Sequence, residues 1–81
     1  MNKPYQTTAQ QREILFSHLL AHHRITTLEA RTKLDILHPA GRILELRKDG
    51  KNIHTYWTTQ ETPKGKHRIA CYVLLSGGSN E

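Results

Sequence analysis

Arg42 and Glu45 stand three residues apart in the stretch His38 to Gly50, and they are the side chains best suited to reading the edges of base pairs. A guanidinium donates two parallel hydrogen bonds to guanine O6 and N7, worth about 1 to 3 kcal/mol of discrimination against another base. A carboxylate accepts from cytosine N4. On a helix the same two residues also suit each other at i and i+3, so an ion pair on a solvated face is the plain alternative. Helical spacing sets His38, Gly41 and Lys48 on the side of Arg42 and Glu45, and Gly41 leaves room for a close backbone approach.

A second group is cationic. Lys64, Lys66 and Arg68 alternate around Gly65, where they suit phosphate oxygens, although charged hairpin tips are equally often only solvated. Thr26, Thr27 and Arg31 fall at the start of a short helical pattern, whose open amides and positive dipole end favour a phosphate. Ordinary capping by the threonines competes with that reading and is compatible with it. Arg47 follows the apolar Leu46, which predicts a structural role, its stem packed and its head on a carboxylate.

Other chemistries find little support. His22 and His23 are adjacent and Cys71 is the only cysteine, so neither a zinc site nor an internal disulfide is expected. His18 reads as a hydrogen-bonded core histidine, and Tyr56 and Trp57 as sheet and core residues rather than stacking platforms for single strands. No nucleophile elbow, phosphate-cradling glycine loop or pocketed carboxylate pair is present, so no enzyme and no cofactor are expected.

With 81 residues the chain builds one core. Its 36% hydrophobic and 23% charged content is that of a globular domain. No apolar run approaches the roughly 20 residues of a membrane span, and Met1 to Gln11 lacks the apolar stretch of a secretory leader. The expected location is the cytoplasm, without membrane contact. Twelve Lys and Arg against seven Asp and Glu give +5, which attracts polyanions, with solubility as the bland alternative. Placement favours the first: residues 1–37 hold five basic and three acidic side chains, whereas 38–75 hold seven and three.

Thr8 with Gln11 forms a capping-box pattern, and Ile14, Leu15, His18 and Leu19 share a stripe, predicting a first helix over about 9–22. Ile25 and Thr26 predict a short extended link. Thr26 or Thr27 then opens a two-turn helix ending near Leu34. His38 as cap and Pro39 in the first turn begin a third helix, with Ala40, Ile43 and Leu46 inward and Gly50 as its stop. Residues 52–59 and 67–75 read as strands. Gln60 to Lys66 between them predicts a hairpin tip too long for a two-residue turn. The expected organisation is a flexible N-terminus over 1–7, a domain over 8–75 and a flexible tail over 76–81.

At "ITTLEA" (Ile25 to Ala30) and "HPAGRILELRKDGKNI" (His38 to Ile53) the chain resembles a family of small phage and prophage winged helix-turn-helix proteins. The resemblance spans about residues 11–75 and implies an α+β fold of three helices with a C-terminal β-hairpin wing. It also implies DNA binding, through Thr27, Arg42, Arg47 and the wing from Lys64 to Arg68. Cys71 stands where that family often has a basic residue, which weakens any phosphate contact there. Double-stranded DNA is the expected partner, with one small monomer calling for a homodimer or multiple sites. The alternative is an interaction module that docks a partner protein of replication or recombination.

Overall fold

The computed structural model describes residues 6–75. The first helix, α1, spans Thr8–His22 and is closed by His23, which takes the left-handed conformation (φ 72°) and donates its amide to the Leu19 carbonyl. Its capping box is Thr7 with Gln10, one residue ahead of the expected Thr8 and Gln11. The Thr7 hydroxyl accepts from the Gln10 amide at 3.1 Å, and the Gln10 side chain accepts from the Thr7 amide at 2.9 Å. Threonine and glutamine are both doubled here, so the i, i+3 pattern fits either register. Of the ends expected to be flexible, residues 1–5 and 76–81 lie outside the described residues, and Thr7 belongs to the cap.

The extended link is a strand, β1 (Arg24–Thr26), with Ile25 opposite Tyr72 of the last strand. Helix α2 (Thr27–Lys33) starts from a second capping box, formed by Thr26 and Glu29. Beyond it Asp35 adopts φ 59°, which a short polar side chain tolerates, and the Ile36 amide returns to the Ala30 carbonyl at 3.0 Å. That turn drives Ile36 into the core, where it is fully buried.

Helix α3 (Pro39–Lys48) begins after His38, whose side chain makes no capping bond, and ends before Gly50 at φ 90°. Its inward residues are Pro39, Ile43 and Leu46. Ala40, expected inside, is exposed, because the stripe begins one residue earlier at the proline ring.

Strands β2 (Ile53–Thr62) and β3 (Gly65–Leu74) form a ten-residue-long antiparallel hairpin, and the sheet order is β1-β3-β2. The tip corrects the sequence expectation. Thr62 pairs with Gly65, so only Pro63 and Lys64 make the turn. Proline fixes its own φ near about −65°, and Gly65 takes φ 126°, closed to other residues, so polar residues 60–62 continue the ladder.

Every element contributes to one core: Leu15 and Leu19 from α1, Ile25 from β1, Ala30 from α2, Ile43 and Leu46 from α3, and Ile53, Ala70 and Tyr72 from the hairpin. Tyr56 and Trp57, expected in that core, are exposed, Trp57 by 62%. Tyr56 pairs with Cys71 and so alternates onto the face of the sheet opposite buried Ala70 and Tyr72, whereas Trp57 shares the inner face with its partner Ala70 but stands on β2, an edge strand. No helix among the described residues is long and apolar enough to cross a membrane.

Candidate nucleic-acid interface

Helix α3 carries two distinct polar neighbourhoods. On the flank toward α1, the Arg42 Nε and Nη2 donate to the two Glu45 carboxylate oxygens, both at 2.8 Å. Arg42 Nη1 donates to Gln11 Oε1 at 3.3 Å, and Arg12 Nη1 reaches Glu45 Oε1 at 2.9 Å. A bidentate guanidinium-carboxylate pair is planar and charge-assisted, so it fixes both side chains. The Arg42 side chain is only 16% exposed. Hydrogen bonds from Arg42 and then Arg12 hold the Glu45 carboxyl below its ordinary value of 4.5. The alternative weighed from the spacing, an i, i+3 pair, is thus present, and it is anchored to α1 rather than lying free on a solvated face.

The other side is open. Ala40, Leu44 and Lys48 are exposed along one line at intervals of four residues, and half-buried Gly41 lies beside them. A Cβ added at Gly41 would meet nothing within 4 Å, so no neighbour among the described residues requires a glycine there. His38 is exposed just ahead of the helix. No residue of the hairpin covers this line, since all three of its members face solvent.

The remaining predicted residues separate into anchored and free groups. Thr26 is committed to its capping box: its hydroxyl accepts from the Glu29 amide at 3.1 Å, and its own amide donates to Glu29 Oε1 at 3.0 Å, the bond that foremost lowers the Glu29 carboxyl below its ordinary 4.5. The Thr27 hydroxyl donates to the Ala70 carbonyl at 3.4 Å, tying α2 to β3. Arg31 Nε donates to the Leu37 carbonyl at 3.1 Å across the turn that follows α2. Arg47 is structural, but its acceptors are neutral rather than the expected carboxylate: Nε donates to the Ile53 carbonyl at 2.8 Å and Nη2 to Thr55 Oγ1 at 2.6 Å.

Lys48, Lys64, Lys66 and Arg68 are exposed and form no ion pair among the described residues. The Arg68 guanidinium lies 5.0 Å from the Trp57 ring centre. Stacking on an exposed indole orients the guanidinium plane while leaving its edge donors available. Sequence reasoning passed over Trp57 as a partner; the ladder pairs Trp57 with Ala70 and Thr59 with Arg68, and that diagonal neighbourhood appears only once register is known.

His18 is half-buried with its ring 4.5 Å from that of His22. Burial first, and the neighbouring His22 second, push its pKa below the ordinary 6.5. The i, i+4 spacing of these histidines was legible in the sequence, and the adjacent His22 and His23 draw attention from it. Among the described residues no three His, Cys, Asp or Glu side chains gather as a metal site would require. Cys71 is half-buried and unpaired by any disulfide.

The family model described as "Winged helix-turn-helix domain" matches residues 9–77. No curated protein and no solved structure matches the chain.

Proposed function

Because the chain belongs to the winged helix-turn-helix domain family, we propose that it binds double-stranded DNA with α3 in the major groove and the hairpin against the adjoining phosphates. The family's domains are generally DNA-binding. The observation that carries the reading is the open line Ala40, Leu44, Lys48, uncovered by the chain's own hairpin and accompanied by cations that form no ion pair among the described residues. A helix enters a major groove only where its outer side is free. Lys48, Lys64, Lys66 and Arg68 supply phosphate contacts. His38 and Gly41 border the groove, while Arg42 and Glu45 hold α3 in place on α1.

The phage and prophage resemblance of residues 25–30 and 38–53 favours a transcriptional regulator or an architectural factor in the cytoplasm. A single winged domain covers little DNA, which favours two copies per target.

The test is affinity for duplex DNA as a function of salt. Neutralising four to six phosphates gives a slope of log K against log salt of about −4 to −5. A flat dependence would remove DNA as the partner. The alternative partner protein is favoured by a different observation, the exposed Leu28 and Leu37 near an apolar cleft between Thr27, Leu28 and Arg31 of α2 and Ile69 of the hairpin. Leu28→Ser separates the two: it leaves duplex affinity unchanged if α3 and the wing bind DNA.

A further inference from the structure

We infer that α3 recognises thymine, through the contact of its C5-methyl group with Leu44 and Ala40; this rests on the duplex-binding reading above. Side chains able to read hydrogen-bonding edges are nearly absent from the open line. Lys48 is its only polar member, and it stands on the last turn of α3. Arg42 spends Nε and Nη2 on Glu45 and Nη1 on Gln11, while Glu45 also accepts from Arg12. Turning Arg42 toward a guanine would break a bidentate pair and leave Glu45 facing the phosphates with one cation fewer. Neither residue is free to read.

Between exposed His38 ahead of the helix and Lys48 on its last turn, what remains is aliphatic. Leu44 is 52% exposed, and Ala40 precedes it by one turn on the same line. Each base pair presents a distinct pattern in the major groove, and thymine alone among the four bases presents a methyl group there. Leu44 against that methyl removes apolar surface from water on both sides. Against an amino group or a carbonyl oxygen the same side chain displaces water from a polar edge and returns no hydrogen bond. The small residues complete the fit: with a methyl at position 40 and none at 41, nothing bulky holds the helix backbone away from the groove floor. Gly41 has open space around its missing Cβ, so its smallness serves no contact among the described residues.

The experiment compares affinities for duplexes that differ only in the C5 substituent. The first pair is an alternating A·T duplex two helical turns long and its counterpart with deoxyuridine for thymidine. The second is an alternating G·C duplex and its counterpart with 5-methylcytosine. Thymine contact predicts about a fourfold loss per contacted methyl in the first pair, the equivalent of about 0.8 kcal/mol, and a gain on methylation in the second. Leu44→Ala, an exposed position, brings both ratios toward one, whereas Lys64→Ala weakens all four duplexes and preserves the ratios. Good binding to all four duplexes with ratios near one in the unmodified protein overturns methyl reading and leaves duplex binding standing. Failure to bind any of them overturns both.

Discussion

Between α1 and α3 the Glu45 carboxylate takes hydrogen bonds from Arg12 and Arg42, and those donors keep its pKa below 4.5. A depressed carboxyl pKa stabilises the fold above the unfolded value, and the contribution is lost as pH falls through the folded one. Arg42→Ala therefore lowers the melting temperature at pH 7, and the deficit relative to the unmodified chain shrinks in a melt at a pH well below 4.5. His18 acts in a higher window. Its folded pKa lies below 6.5 because burial disfavours the charged ring, so the unfolded chain binds more protons as pH falls from 6.5. Stability falls across that interval, and His18→Gln should flatten the profile there while leaving the loss below pH 4.5 intact. Denaturant melts at pH 7.5, 5.5 and 3 separate the two contributions. An unchanged slope in His18→Gln would contradict the assignment. The residue scale is also where the sequence was least legible. Arg42 and Glu45 were identifiable as a pair or as readers, but which one depends on Gln11 and Arg12 arriving from another helix, and i, i+3 spacing contains no information about that.

The elements themselves were largely legible because their signals are local. Pro39 in the first turn and Gly50 after the last bracket α3 in sequence and in structure alike. The ITT segment gave both an extended link and a cap, and Thr26 serves as the last residue of β1 and the N-cap of α2. Thr26→Ala should cost about 1 kcal/mol in a denaturant melt. Register and reach were not legible. The doubled Thr and Gln left the α1 cap ambiguous by one residue, and the polar composition of 60–62 concealed strand that pairs through to Thr62. On α3, Gly41→Ala offers a test with two readouts of opposite sign. An interior helical glycine costs about 0.5 to 1 kcal/mol relative to alanine, and the site has room for the added methyl. The variant should be more stable by roughly that amount, and it should bind duplex more weakly if the backbone lies against the groove. Higher stability with unchanged affinity would move Gly41 out of the interface.

At the scale of the whole molecule, ten core residues drawn from three helices, the turn before α3 and the sheet support one small body. Ile36 shows how thin that margin is, since a turn residue fills the centre and nothing in the periodicity of α2 or α3 marks it. Ile36→Ala should cost about 2 to 5 kcal/mol, a large share of the stability of a domain this size. Charge distribution at this scale was legible early. The surplus of the second half lies on α3 and the wing, at Lys48, Lys64, Lys66 and Arg68, while three of the acidic groups that would cancel it are elsewhere or already paired: Glu13 and Glu29 on the first two helices and Glu45 between two arginines.

The most direct measurement is a backbone amide chemical-shift titration of the full chain with duplex DNA. Perturbations should concentrate at Ala40, Gly41, Leu44 and Lys48 and at the wing amides from Lys64 to Arg68, with the middle of α1 unmoved. Shifts confined to α1 or to the α2 side of the hairpin, with those α3 amides silent at saturating DNA, would contradict an α3 that enters the groove.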